Sequence, residues 1–252
     1  MPEEVTPVAK TRQIAIVLYP GLTALDALGP YEVLKMLPAA EVRFLAHEPG
    51  PVTTDRGILI IGATHAFEET PSPYLVLVPG SEANTTTAMA DGRLIDWLKR
   101  AHETSTWTAS VCSGALILGA AGLLEGKPAT THWWAQSSLR RFGAVPKLDE
   151  RIVRSGRIWT AAGVSAGLDL ALALFGEIAG REEAEVAQLE LEYDPRPPFD
   201  AGHPSKASAR VRSKAEAELA RHARNPRDLI SVPKILWRRA IDRSRRAAKA
   251  RR

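Results

Sequence analysis

The run Gln13-Ile-Ala-Ile-Val-Leu-Tyr19 is almost uninterrupted apolar sequence, closed by Pro20-Gly21. A strand covered on both faces reads this way, because neither side of its pleat meets water. The pattern returns at Tyr74-Leu-Val-Leu-Val-Pro-Gly80 and, shorter, at Trp107 to Val111. Further strands are expected at Val42 to Ala46 and Ile58 to Ile61. Between them the apolar spacing becomes helical, over Leu25 to Leu37 before Pro38 and over Arg93 to His102,. Ser113 to about Ala121 reads as another helix. Arg151 to Arg154 and Arg157 to Thr160 flank Ser155-Gly156 as a hairpin would,. Helices are expected again at Ser165 to about Ala179 and at Arg181 to Leu191, ahead of an irregular stretch from Tyr193 to Gly202. This alternation argues for an α/β fold with a doubly wound, mostly parallel sheet. In such sheets ligands gather at the carboxyl ends of the strands, where Pro20-Gly21, Pro79-Gly80 and Cys112 all fall,.

With 45% hydrophobic and 25% charged residues among 252, the composition is that of a globular protein,. A single cysteine rules out an internal disulfide, and Met-Pro-Glu-Glu-Val-Thr lacks the basic start and apolar core of a signal peptide,. No uncharged apolar run approaches the ~18 residues needed to span a bilayer. A cytoplasmic protein that does not enter membranes is expected. The net charge of +4 hides an asymmetry: residues 1–205 carry 17 basic against 25 acidic side chains, residues 206–252 carry 16 against 4. The chain therefore divides into an N-terminal tail (1–11), one α/β domain (12–205) and a basic extension (206–252), helical or partly disordered. Within the extension, Ala207 to Arg224 and Pro233 to Lys249 have helix-forming composition around Asn225-Pro226,. Its charge would suit nucleic acid or an acidic partner.

Cys112 sits where the strand Trp107 to Val111 runs into an Ala/Leu/Gly-rich helix, with Ser110 and Gly114 as small neighbours. Serine in this setting forms the nucleophile elbow of hydrolases. A thiol there faces the positive end of the helix, which is expected to lower its pKa and make it a candidate nucleophile. The alternative is a buried structural thiol. Asp26 lies one short turn past the first strand in an otherwise apolar helix start; it is a helix cap, with Thr23 as an equal candidate, or it faces Cys112,. In the second case burial and a neighbouring thiolate would raise its pKa and make it a proton donor near neutrality. The amides of Ser113, Gly80 and Ser81 are candidates for stabilising a developing anion. His132, beside Trp133 and Trp134, reads as a wall of the pocket. The histidines and the cysteine show no metal-ligand spacing, so no metal is expected,.

Val111-Cys-Ser-Gly-Ala-Leu-Ile-Leu-Gly-Ala-Ala-Gly-Leu-Leu-Glu-Gly-Lys-Pro-Ala-Thr-Thr-His-Trp133 resembles the nucleophile segment of the ThiJ/PfpI superfamily. Leu22 to Leu34, Thr160 to Leu170 and Gln188 to Gly202 are similar to the isocyanide hydratases in particular. The resemblance spans about residues 12–203, with Ser113 where the hydratases carry threonine and Ser81 where a second glycine is usual. It implies a flavodoxin-like, class I glutamine-amidotransferase-like fold and cofactor-independent hydration of an isocyanide to an N-formamide. Cys112 would form a thioimidate with this small-molecule substrate, Asp26 would move protons, and the protein would be a homodimer. Glyoxalase or deglycase chemistry and a non-enzymatic thiol- or ligand-sensing domain are the competing functions. The absence of an adjacent Cys-His pair, and aspartate rather than glutamate at 26, count against the former.

Overall fold

The computed structural model describes residues 11–223 and 225–250, so the tail expected at 1–11 lies outside the described residues except for Thr11, as does Arg224. β1 (Arg12–Val17) is followed by α1 (Ala24–Leu34), β2 (Ala40–Ala46), the hairpin of β3 (Gly50–Thr53) with β4 (Ile60–Ala63), and the two-residue β5 (His65–Ala66). Next come β6 (Leu75–Val78), α2 (Thr85–Ala90), α3 (Gly92–Thr104), β7 (Trp107–Ser110) and α4 (Gly114–Ala120). The short strands β8 (Pro128–Ala129) and β9 (Val145–Pro146) enclose α5 (Gln136–Leu139). β10 (Ile152–Ser155), β11 (Ile158–Ala161), α6 (Ala166–Ala179), α7 (Arg181–Glu190), α8 (Ala209–His222) and α9 (Asp228–Ala250) follow.

Seven strands form the central sheet in the order β10-β11-β7-β6-β1-β2-β5, all parallel except β10. The apolar runs explain the middle of this order: Ile14 to Val17 of β1 and Leu75 to Val78 of β6 have no measurable exposure, since helices cover both faces,. Each valine, leucine and isoleucine among them contributes roughly 1.5–3 kcal/mol on leaving water. The chain passes from β1 to β2 on one side and later returns to place β6 on the other. β1 and β6 are therefore adjacent strands whose exits diverge, which opens a crevice at their carboxyl ends,.

Several boundaries differ from the pattern-based expectation. The strand expected at Ile58 to Ile61 begins only at Ile60 and belongs to the separate β3–β4 hairpin; Ile58 and Leu59 are exposed. α1 ends at Leu34 and carries Pro30 inside it, where the ring packs toward Gly167 of α6. α9 begins before Pro233 and includes it. It lies along α2 with Ser231 and Ile235 buried, and the Lys99 ammonium is 2.8 Å from the Asp242 carboxylate. Among the described residues no helix is long and apolar enough to cross a membrane.

Candidate active site

At the end of β7 the backbone turns through Cys112 with φ near +55°, a left-handed value uncommon for a residue with a Cβ,. Two hydrogen bonds hold the bend: Cys112 N–H donates to Ala162 O at 2.8 Å, and Thr131 Oγ1 donates to Cys112 O at 2.7 Å. Gly114 lets α4 start hard against β6, since a Cβ there would lie 2.2 Å from Val78 O. The elbow leaves Cys112 only 6% exposed yet lining a cavity of about 470 Å³, together with Ser81, Ser113, Leu116, His132 and Val164.

Asp26 occupies the first turn of α1 and is fully buried. It is not the cap. Thr23 holds that position, and its hydroxyl donates instead to Asp55 Oδ2 at 2.8 Å. Asp26 Oδ2 accepts the Gly80 N–H at 2.8 Å, while Oδ1 is buried with no hydrogen-bond partner among the described residues. Burial pushes the carboxyl up to about 7, against the Gly80 bond that favours its charged form; the Asp55 charge pushes it further up and the Cys112 thiol draws it down,. The thiol responds in kind. Burial, then the Asp26 charge, raise Cys112 well above the ordinary thiol range, outweighing the Ser113 N–H that favours the anion. The expectation that the elbow depresses the thiol pKa is therefore corrected: the positive end of the short helix α4, acting on a desolvated sulfur beside a carboxyl, does not prevail,.

Two of the amides expected to stabilise an anion already have partners. Gly80 N–H donates to Asp26 Oδ2, and Ser81 N–H donates to Ser113 Oγ at 2.9 Å. Both position other groups of the site. Ser113 N–H remains beside the sulfur. Ser113 Oγ also lies 3.0 Å from Ser81 O and 2.7 Å from Thr85 Oγ1, and Thr85 Oγ1 is itself 3.0 Å from Ser81 O, which closes a buried ring of two hydroxyls and a carbonyl. Ser81 has no left-handed φ, so a side chain is tolerated where a second glycine is usual, and its Oγ accepts the Asn84 N–H at 2.8 Å. Gly80 must stay glycine, because a Cβ would meet Ser113 N and Oγ at 2.6 Å and Asp26 Oδ2 at 3.0 Å.

His132 lines the cavity with its pKa lowered by burial, and its Nδ1 accepts the Trp134 N–H at 3.4 Å. Pattern reading missed Asp55 and Thr85, which no spacing marks, and it missed Leu219 of α8 and Ala223 just after that helix, which line the same cavity. Among the described residues no cluster of three or more His, Cys, Asp or Glu is placed to hold a metal ion. The arrangement offers a thiol, a carboxyl that titrates near neutrality and a small, partly apolar chamber. Those are the parts needed to add a nucleophile and a proton to one substrate.

The DJ-1/PfpI family model matches residues 12–177. The isonitrile hydratase of Pseudomonas putida is 41% identical over 208 residues, which is 82% of this chain and 90% of that protein. The crystal structure of a THiJ/PfpI family protein from Pseudomonas syringae matches with a TM-score of 0.81 at 39% identity, over 85% of this chain and 88% of the other. Drosophila melanogaster DJ-1beta shares the fold with a TM-score of 0.66 at 20% identity, over 73% of this chain and 98% of its own.

Proposed function

This chain belongs to the DJ-1/PfpI family, and from that premise we propose that it hydrates an isocyanide, R–N≡C, to the N-formamide R–NH–CHO. The observation that carries the reading is the pairing of Cys112 with a buried carboxyl that titrates at about 7, beside a cavity that admits a small molecule. The 41% identity to an isonitrile hydratase supports an isocyanide as the substrate class.

In the proposed course, the Asp26 carboxylate takes the thiol proton as sulfur bonds to the terminal carbon. It returns that proton to the same carbon, whose lone pair accepts it, giving the thioimidate R–N=CH–S. Water then adds to this carbon while Asp26 relays a proton to nitrogen. Collapse to the formyl C=O breaks the C–S bond and restores the thiol. Atoms and charges balance with no external reductant or oxidant. A high thiol pKa suits this course, because sulfur becomes an anion only as its proton moves to Asp26, and a carboxyl near 7 is matched to proton transfer in both directions at neutral pH. The reading includes a cytoplasmic homodimer, as the family resemblance implies. Aspartate at 26 and the lack of an adjacent Cys-His pair favour it over α-oxo aldehyde chemistry.

The test is incubation with an alkyl and an aryl isocyanide, following formamide for wild type, Cys112→Ala and Asp26→Ala. Turnover lost in both variants supports the proposal. Turnover of methylglyoxal but not of isocyanide would refute it, and no turnover of either would leave a thiol-sensing domain.

A further inference from the structure

α8 lies outside the segment that builds the sheet, yet its Leu219, with Ala223 at its C-terminal end, lines the same cavity as Cys112. The helix sequence explains why. Ala215, Leu219, His222 and Ala223 recur at helical spacing and are partly buried, while Arg210, Arg212, Lys214 and Arg221 are exposed,. The end of α8 is pinned at the cavity rim. His222 Nδ1 and an Arg56 guanidinium nitrogen lie 3.3 and 3.0 Å from the same oxygen of Glu82, itself a lining residue. Just beyond, Asn225 Nδ2 donates to Ala83 O at 3.0 Å and to Asn84 Oδ1 at 3.1 Å. α9 then continues along α2, the helix whose Thr85 holds the Ser113 hydroxyl.

We propose that α8 is a wall of the substrate pocket and that Leu219 determines which isocyanide substituent fits. With Leu116, Val164, Ala135 and Ala223 it gives the otherwise polar cavity an apolar part, which suits an alkyl or aryl R group. The choice of substituent rests on the hydratase reading; the wall does not. Cys112 is the single cysteine, so its alkylation reports access to the cavity without any turnover.

The experiment uses the full chain as wild type, Leu219→Ala and Leu219→Trp. Cys112 is alkylated with iodoacetamide and with the bulkier N-phenylmaleimide, and kcat/KM is measured for methyl and for naphthyl isocyanide. In Leu219→Ala the bulky-to-small ratio should rise about tenfold in both assays, and in Leu219→Trp it should fall, as a few methylenes in an apolar pocket permit. Opposite signs in the two variants separate a wall from general loosening. Alkylation ratios within about twofold of wild type in both variants would overturn the proposal. A shift in alkylation with no isocyanide turned over by any form would uphold the wall and reject the hydratase reading. A shift in alkylation without one in isocyanide selectivity would reject the role of Leu219 in specificity.

Discussion

Replacing Asp26 with asparagine takes an ionisable group out of the interior while leaving an oxygen to accept the Gly80 N–H. An unfolded aspartic acid releases its proton near 3.8, and the folded one at about 7. Between those values the native protein keeps a proton that the unfolded chain has lost, so wild-type stability falls as pH rises through this window and levels off above it. At about 1.4 kcal/mol per pH unit the fall amounts to about 4 kcal/mol. That is a large share of the roughly 5–15 kcal/mol by which domains are held folded. The assay is urea unfolding of wild type and Asp26→Asn at a series of pH values across the window, followed by tryptophan fluorescence with Cys112 kept reduced. The difference in stability, variant minus wild type, should climb by about 4 kcal/mol from the acid to the neutral end and then flatten. Contributions from other groups cancel in that difference. Curves that stay parallel within about 1 kcal/mol would mean that Asp26 ionises as freely in the native protein as in water, and the argument from its burial would fail.

Alkylation of Cys112 by iodoacetamide should accelerate with pH up to and beyond about 9 rather than reach a plateau below neutrality, and Asp26→Asn should move the profile to lower pH,; an acid plateau in wild type would contradict the raised thiol. Gly80→Ala should cost about 1–3 kcal/mol in thermal or urea unfolding, because its methyl collides with Ser113 and Asp26, and formamide production should fall with it,. Ser113→Ala leaves the buried Ser81 N–H without its partner, while Thr85 Oγ1 keeps Ser81 O, for an expected loss of about 1–3 kcal/mol, whereas Ser113→Thr should retain most of the stability; equal losses would show that packing, not the hydroxyl, matters there,.

The parts of this molecule that could be read from its residues are those whose cause is local. Ile14 to Val17 and Leu75 to Val78 declare buried strands because both faces of each are apolar, and Cys112 declares the elbow by standing between a strand pattern and a helix pattern. Asp26 was conspicuous as a charge in an apolar helix start, but its two possible roles were separated only by the Gly80 amide, which arrives from a strand 54 positions away. The raised thiol pKa is not legible locally because desolvation is a tertiary property, invisible beside the nearby helix terminus. The partners of the Gly80 and Ser81 amides are hidden for a related reason: which way an amide points depends on what is packed opposite. Leu219 was legible as an apolar position and not as a pocket residue, since nothing local states where α8 is laid down.

The borders of the central sheet have a bearing on how concentrated protein behaves. On one side β5 offers only two residues of open backbone, and Thr64 occupies the neighbouring rim of β2 by donating its N–H to Phe44 O and accepting the Phe44 N–H on its hydroxyl. On the other, β10 runs against its neighbours, and its Arg154 is clamped by two 2.8 Å contacts to Glu177. Neither side presents a long, flat apolar template to a foreign strand. Self-association of the native fold should therefore proceed through side-chain faces and remain reversible on dilution, rather than seed fibril growth.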